Sequence, residues 1–196
     1  MLLPNPSNYF DSIYAIYEEA FPAIERRTRE GQRTVLEKPR YRVRVIGEAG
    51  EEETDHQELE NGICAFLGYW ELDSCIFLEH LATLKQCRGK GYGRILIEEC
   101  IREGREKGKP LFLEIEPVTE ADPMTGRREN FYHRCGFHTN HFYYEQMPLK
   151  PGDPPIPLWI MSWPDPVTEE GFWPCKKEIY REVYGVIETQ NEQCSI

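Results

Sequence analysis

The residues whose types and spacing point most directly to chemistry form a short basic stretch rich in glycine, RGKGYG at 88–93. An apolar run from Ile76 to Leu84 precedes this stretch, and an apolar helical pattern begins at Ile95, which together predict a strand, a turn and a helix. Glycines let the main chain bend sharply and approach a ligand, and the free N–H groups at a helix N-terminus favour negative charge. The stretch therefore predicts a turn that binds phosphate.

Two well-known nucleotide-binding patterns do not fit this turn. Gly89, Gly91 and Gly93 spell GKGYG, which lacks the third glycine of the dinucleotide-binding pattern GxGxxG, and no window supplies the GxxxxGK of a P-loop followed by Ser or Thr. The pattern that fits is RxxGxG, formed by Arg88, Gly91 and Gly93 directly before the helix that begins RILI. A second register that starts at Gln86 also fits, and we prefer the first because of the helix that follows it.

The elements that must hold this turn belong to an acidic chain of 196 residues with a formal net charge of −11. With 40% hydrophobic residues, the chain is long enough for one well-buried core. The acidic balance disfavours nucleic acid, whose binding depends on a surplus of Lys and Arg. No apolar run approaches the roughly 18 residues of a membrane span, and the N-terminus lacks the features of a secretory leader. We therefore predict a cytoplasmic protein with neither a nucleic acid nor a membrane as partner.

The cysteine and histidine residues do not predict a metal site. Seven cysteines are odd in number, scattered and never spaced as CxxC, which argues against a disulfide framework and a zinc site and favours reduced thiols that pack in the core. His133, His138 and His141 lie close together in the sequence, but they lack a carboxylate or cysteine at ligand spacing. We predict that the protein binds no metal.

The hydrophobic periodicity predicts a mixed α/β fold. The second strand of a hairpin leads into a crossover helix and another strand, so the sheet is antiparallel early and parallel at the phosphate turn. The polar segment 49–62 is predicted to be too acidic to pack. The predicted helices are 9–20, 23–36, 92–107, 127–135 and 169–189, and the predicted strands are 41–48, 62–72, 75–84, 111–118, 137–146 and 158–163.

Two motifs together resemble those of the GNAT family of N-acetyltransferases, which transfer an acetyl group from acetyl-CoA. The first is residues 88–93, in the family's phosphate-binding pattern Q/R-x-x-G-x-G/A between a strand and a helix. The second lies about forty residues further on, where Tyr132, Gly136 and Phe137 match the pattern Y-x-x-x-G-F. The resemblance covers about residues 9–163 and is most specific between these two motifs.

This resemblance implies a fold and an activity. The fold is an α/β domain over residues 1–164, in which helices flank a mixed, twisted central sheet on both faces, and a C-terminal helical extension over 165–196 packs on it. The implied cofactor is acetyl-CoA, and the implied acceptor is a primary amine of a small molecule or peptide. The LEIEP strand end and the proline-rich link at 147–157 are similar to those of a bacterial subgroup of unknown substrate. Oligomeric state is left open between monomer and homodimer.

The resemblance also implies which residues would bind coenzyme A. Main-chain groups of Leu81, Ala82 and Thr83 would bind the pantetheine arm as an added half-strand in a splayed gap between parallel strands. Main-chain amides of the glycine turn would hold the pyrophosphate, and two basic side chains in or next to the turn are candidates to contact the phosphates. The implied set in and after the turn is Arg88, Gly89, Lys90, Gly91, Tyr92, Gly93 and Arg94.

Acetyl transfer to an alkylammonium with a pKa near 10.4 needs a base for the amine and a proton donor for the departing thiolate. Tyr132, at the family's usual tyrosine, is implied to donate that proton. Glu79 occupies a family base position and is our prediction for the base, while Glu114 and Glu116 on the next strand are alternatives. His80 is expected to point to the opposite face of the strand from Glu79, because strand side chains alternate.

Two alternative chemistries are weighed against direct attack. Cys87 and Cys135 flank the predicted site, but a covalent route through a thiol needs an assignable base partner, and the sequence supplies none. Direct attack by the amine in a ternary complex is therefore the favoured mechanism. The alternative function is a non-catalytic acyl-CoA sensor or scaffold that retains the fold without turnover.

Overall fold

The computed structural model describes residues 5–47 and 62–186, which fold around one six-stranded sheet. The strands are β1 (Tyr41–Gly47), β2 (Ile63–Glu71), β3 (Ile76–Thr83), β4 (Leu111–Ile115), β5 (His138–Gln146) and β6 (Ile156–Trp163). Their order in the sheet is β1-β2-β3-β4-β6-β5, and only the β3–β4 pair is parallel. The predicted mixed sheet is confirmed. Apart from Gly62, the predicted polar loop at 49–62 lies outside the described residues.

Helices cover both faces of the sheet. They are α1 (Phe10–Ala20), α2 (Arg29–Leu36), α3 (Tyr92–Lys107), α4 (Pro123–Arg134) and α5 (Glu169–Glu182). One face packs on α1, α2 and α5 through buried side chains such as Tyr17 and Phe172, and the other packs on α3 and α4 through Leu96 and Phe131. Helices therefore flank the sheet as predicted, with an additional helix at the C-terminal end. No helix in the described part of the chain is long and apolar enough to cross a membrane.

Three helices differ from their predicted limits, in each case where a cap or turn sets the boundary. The segment predicted as one helix over 23–36 is a 3₁₀ turn at Ala23–Glu25 followed by α2, whose cap Thr28 accepts a hydrogen bond from the Gly31 N–H at 3.0 Å. The helix predicted from Arg127 begins at Pro123 behind the cap Asp122. The terminal helix ends at Glu182, and Ile187 of its predicted apolar pattern lies outside the described residues.

Helix α3 crosses from β3 back to β4 and packs closely on the sheet. Its limits agree with the prediction of 92–107, and Leu96, Cys100 and Ile101 are buried at helical spacing. Near its end the helix approaches the next strand through Gly104, where an added Cβ would lie 2.9 Å from the Lys109 carbonyl oxygen. The space between α3 and the start of β4 is therefore too small for a residue larger than glycine at this position.

Strands β3 and β4 separate beyond their first three paired residues. The pairing joins Ile76–Leu78 to Leu111–Leu113, while β3 continues to Thr83 on its other edge against β2. The main-chain groups of β3 that face β4 beyond Leu78 therefore have no strand partner there. This is the splayed gap that the sequence resemblance implies.

Two glycine substitutions on the helices of this face should change stability in opposite directions. Gly104→Ala should lower the free energy of unfolding by about 1 kcal/mol, because overpacking costs about 1–3 kcal/mol and the gain in helix propensity returns about 1. Gly126→Ala should raise it by about 1 kcal/mol, since the added Cβ meets only Val118 at an ordinary contact distance of 3.6 Å. Urea unfolding of both variants measures the effect, and equal changes of the same sign would contradict the packing described.

Candidate active site

A cleft of about 660 Å³ opens where β3 and β4 separate. Its walls come from the end of β3, the glycine turn, the end of β4, helix α4 and the segment between α1 and α2. All the residues predicted for the site line this cleft except Lys90. The structure therefore brings together residues that lie more than fifty positions apart in the sequence, from Glu79 to Tyr132.

The glycine turn presents main-chain donors at the start of α3. Gly91 is the residue before the helix and has a φ of +81°, a left-handed conformation that favours glycine. Within the described residues no side chain caps this N-terminus. The first N–H groups of a helix lack partners within the helix and attract anions. Arg88 donates from Nε to the Thr83 carbonyl oxygen at 3.3 Å, which ties the turn to the end of β3. The turn fits a diphosphate.

The residues implied for the pantetheine arm lie on the open part of β3. Leu81, Ala82 and Thr83 line the cleft beyond the last residue paired with β4. A free strand edge can exchange hydrogen bonds with an amide-containing chain, as in peptide recognition by added strands. The open edge and the glycine turn together fit coenzyme A.

Tyr132 lies on α4 and its ring packs between two other aromatic rings. Its centroid is 5.1 Å from that of Phe131 and 5.9 Å from that of Phe137. Burial raises the pKa of Tyr132 to about 12, against a smaller lowering by the charge of Arg128. In residues 5–47 and 62–186 its hydroxyl has no hydrogen-bond partner, yet it lines the cleft. A phenol that keeps its proton at neutral pH and has no internal partner can donate to a ligand.

The prediction that His80 points to the opposite face from Glu79 is wrong. The β2–β3 register shifts so that Gly68 pairs with His80 but Tyr69 pairs with Leu78, which leaves Glu79 as an extra residue in a β-bulge. A bulge interrupts the alternation of side chains along a strand. Both side chains therefore lie on the α1 side of the sheet, with His80 Nδ1 3.5 Å from Glu79 Oε2.

Glu79 is held as a charged group by buried partners. Its Oε1 accepts from Arg27 Nη2 at 2.5 Å and its Oε2 accepts from Trp70 Nε1 at 3.0 Å. The side chains of Arg27 and Glu79 are only 6% and 4% exposed. Burial raises the pKa of Glu79, but the positive charge and hydrogen bond of Arg27, together with the neighbouring His80 ring, outweigh it and lower the pKa to about 2. Such a carboxylate is a weak base at neutral pH.

Glu114 on β4 has the opposite electrostatic character. The hydroxyls of Tyr144 and Tyr184 both donate to it, the second at 2.7 Å from Oε1 and 2.8 Å from Oε2. Burial raises its pKa, the two tyrosine hydrogen bonds lower it, and the negative charges of Glu79 and Glu25 raise it further, to about 7. A carboxyl group that titrates near neutral pH suits proton transfer.

The remaining predicted groups have other partners or no clear role in the cleft. Glu116 forms an ion pair with Arg128 of α4. Cys135 is half-buried, and burial raises the pKa of its thiol, which disfavours a thiolate nucleophile. Among the described residues, no group of three or more His, Cys, Asp or Glu side chains is arranged to hold a metal ion.

Sequence reasoning did not identify Tyr184, Tyr144 or Arg27 as parts of the site. The hydrogen bond from Tyr184 to Glu114 spans 70 positions, and the one from Arg27 to Glu79 spans 52. Nothing in the local pattern around these residues marks them, because their contacts depend on tertiary packing.

Comparisons with known proteins agree on one family. Residues 51–139 match the family described as an acetyltransferase (GNAT) domain. YjbC of Bacillus subtilis (strain 168), which carries the name of an acetyltransferase, is 32% identical over 135 residues, or 68% of each chain. This chain therefore belongs to the GNAT family, and it is an N-acetyltransferase that uses acetyl-CoA.

Solved structures show the same fold. A GNAT-family structure from Bacteroides thetaiotaomicron has a TM-score of 0.74 at 24% identity, covering 95% of this chain and 99% of that one. NAA60 of Arabidopsis thaliana in complex with acetyl-CoA has a TM-score of 0.60 at 13% identity, covering 83% of this chain and 97% of that one.

The buried ion pair predicts a large effect on stability. Arg27→Met should lower the free energy of unfolding by about 3–5 kcal/mol, because Glu79 is left charged and without its partner. Changing both residues to Met should cost less than Arg27→Met alone, since neither charge is then left uncompensated. Arg181→Met, which removes an exposed pair with Glu182, should change stability by less than about 1 kcal/mol. Urea unfolding at neutral pH compares the variants.

The ion pair of Arg27 and Glu79 also makes the free energy of unfolding depend on pH. The folded-state pKa of Glu79 is lowered from 4.5 to about 2, so its contribution is complete above pH 4.5 and is lost as the pH falls toward 2. The difference in urea midpoint between wild type and Arg27→Met should therefore narrow between about pH 5 and about pH 3. A difference that stays constant over this range would contradict the lowered pKa.

Proposed function

We propose that this enzyme transfers the acetyl group of acetyl-CoA to a primary amine of a small molecule or peptide by direct attack in a ternary complex. The observation that carries the proposal is the meeting, in one cleft, of the glycine turn, the partner-free hydroxyl of Tyr132 and the carboxyl group of Glu114. The turn and the open edge of β3 hold the cofactor, and the two side chains move the protons.

The thioester supplies the activated acetyl group. Glu114 takes a proton from the acceptor ammonium, so that the nitrogen lone pair can form the new N–C bond. Tyr132 donates its proton to the sulfur as the C–S bond breaks, and the second proton of the attacking nitrogen is released to solvent as the amide forms. Glu114 then gives its proton to solvent and Tyr132 regains one from solvent, so that one proton is released per turnover. The high pKa of Tyr132 keeps its proton available until the thiolate develops.

We assign the base to Glu114 in preference to Glu79, the residue favoured by sequence resemblance. The ion pair with Arg27 lowers the pKa of Glu79 to about 2, which removes its driving force for accepting a proton. The pKa of Glu114, about 7, lies near the operating pH. In this assignment Glu79 fixes the position of Arg27 and contributes negative charge beside the base.

We assign the acceptor to the part of the cleft that the cofactor residues do not occupy. Phe21, Pro22 and Glu25 line it from the segment between α1 and α2, and Gln146 and Leu158 line it from β5 and β6. A protonated amine fits this part because the neighbouring glutamates supply negative charge.

The domain limits, location, oligomeric state and cofactor-binding residues of the enzyme are also part of the proposal. The acetyltransferase domain spans 1–164 with 165–196 as its extension, and the protein acts in the cytoplasm as a monomer or homodimer without nucleic acid or membrane partners. The proposed cofactor-binding residues are Leu81, Ala82, Thr83, Arg88, Gly89, Lys90, Gly91, Tyr92, Gly93 and Arg94.

Tyr132→Phe should lower kcat by about 100-fold or more while leaving the affinity for CoA unchanged, because it removes only the proton donor. The assay incubates the protein with acetyl-CoA and a panel of amines and peptides and separates free CoA by chromatography. A thiol reagent is unsuitable because the chain has seven cysteines of its own. Calorimetry measures CoA affinity.

Tyr143→Phe is the matched control, since this tyrosine is 68% exposed and is not a residue of the cleft. It should retain wild-type activity. An undiminished rate for Tyr132→Phe would remove this residue as the proton donor. Binding of CoA without turnover of any amine would support the sensor function instead, and failure to bind CoA would overturn the whole proposal.

Glu114→Gln should abolish the acid limb of the pH–rate profile, which we expect at an apparent pKa near 7 in the wild type. Glu79→Gln should retain that limb at a lower apparent pKa, because the negative charge of Glu79 raises the pKa of Glu114. The protein should also be less stable because Arg27 loses its counter-charge. Profiles of kcat/KM from about pH 5.5 to pH 9, recorded below the unfolding temperature of both variants, compare the two residues. The reverse pattern would restore Glu79 as the base.

A further inference from the structure

Tyr184 connects the C-terminal extension to the proposed base. It lies two positions beyond the last residue of α5, and its hydroxyl contacts both carboxyl oxygens of Glu114, at 2.7 and 2.8 Å. The region that matches the family ends at residue 139. The extension therefore supplies a polar contact to the cleft from outside the matched region.

Glu114 is held from two independent elements. Tyr144 donates from β5 to Oε1, and Tyr184 reaches both oxygens from the segment after α5. In the described part of the chain, Oε2 has no hydrogen-bond partner besides Tyr184. The remaining acceptor capacity of this oxygen is therefore open to a proton from the substrate.

The Tyr184 side chain is itself fixed by the end of helix α5. The Val186 N–H donates to the Tyr180 carbonyl oxygen at 2.9 Å, and Gly185 between them has a φ of +70°, which lets the chain turn back over the helix end. The rings of Tyr180 and Tyr184 meet edge to face with centroids 6.0 Å apart. The turn at the end of α5 thus positions the Tyr184 hydroxyl next to Glu114.

We propose that Tyr184 is a positioning residue for acetyl transfer, which orients the Glu114 carboxylate so that it takes the proton from the acceptor amine. The inference rests on the proposed role of Glu114 as base. The terminal torsion of a glutamate side chain is broad, so a carboxylate with a single partner samples several orientations. Hydrogen-bond donors on two separate elements restrict the carboxylate to one orientation, and efficient proton transfer requires such a fixed orientation.

The groups around Glu114 determine in which direction its pKa should change when a tyrosine hydroxyl is removed. Glu79 on β3 and Glu25 after α1 add negative charge, Tyr144 and Tyr184 donate hydrogen bonds, and burial disfavours the ionised form. Among the groups of residues 5–47 and 62–186 that act on Glu114, the two tyrosine hydroxyls are those that stabilise the carboxylate. Loss of one hydroxyl should raise the pKa, so that a smaller fraction of the base is ionised at neutral pH.

Tyr184→Phe tests this inference with two readouts. The first follows the Glu114 carboxyl carbon by NMR in protein labelled with ¹³C-glutamate, with Glu114→Gln used to assign the signal. The second is the pH profile of kcat/KM. We expect both midpoints to rise by about one pH unit, with rates about tenfold lower below the midpoint. The plateau of kcat/KM at high pH should stay below that of the wild type, because the ionised carboxylate is then less well oriented.

Tyr180→Phe is the matched control, because the Tyr180 hydroxyl donates to the Glu145 carbonyl oxygen at 2.6 Å and not to Glu114. It should shift neither midpoint. Tyr144→Phe removes the second donor and should shift both midpoints in the same direction as Tyr184→Phe, which provides an independent measurement if one variant folds poorly.

The outcomes separate this inference from the function on which it rests. Unchanged NMR midpoints in Tyr184→Phe, or equal shifts in Tyr180→Phe, would overturn the positioning role. A raised NMR midpoint with an unchanged pH–rate profile would show that Tyr184 acts on Glu114 but that Glu114 is not the base. That result would overturn the proposed mechanism and, with it, the catalytic meaning of the contact.

Discussion

The buried ion pair of Arg27 and Glu79 constrains the arrangement of the whole site. The Arg27 N–H donates to the Tyr17 hydroxyl at 2.8 Å, and its guanidinium reaches Glu79 at 2.5 Å and the Val183 carbonyl oxygen at 3.5 Å. One residue thus joins α1, the bulge of β3 and the start of the segment that carries Tyr184. Because two charges are buried only when each has its partner, these three elements cannot shift independently without a large cost.

The chemistry of two of the glutamates that line the cleft, Glu79 and Glu114, is set by their surroundings. Glu79 has a cation as its nearest partner and stays ionised. Within the described residues the hydrogen-bond partners of Glu114 are neutral hydroxyls, and Glu114 lies near the negative charges of Glu79 and Glu25. Pairs of carboxyl groups with separated pKa values are characteristic of sites that transfer protons. In the proposed mechanism the ion pair therefore contributes to catalysis indirectly, since a charged Glu79 helps to keep the pKa of Glu114 near neutrality.

Much of the fold could be predicted from the sequence because its signals are local. The turn at 88–93 and the helix after it follow from glycines and apolar spacing within a few residues, and the splayed gap follows from the family resemblance. The orientation of His80 could not be predicted, because the bulge at Glu79 arises from pairing with β2. The role of Tyr184 could not be predicted either, because it depends on a contact across 70 residues.

The contact from Tyr184 has a consequence for biosynthesis. A polypeptide is made from its N-terminus, so the glycine turn, the β3–α3–β4 unit and Glu114 all leave the ribosome before Tyr184 does. A nascent chain can assemble the glycine turn and the open edge of β3 while Glu114, the proposed base, still lacks one of its two tyrosine hydrogen-bond donors. In the proposed mechanism, full reactivity of Glu114 is therefore reached only after the segment that carries Tyr184 has been made, which couples acetyl transfer to the integrity of that segment.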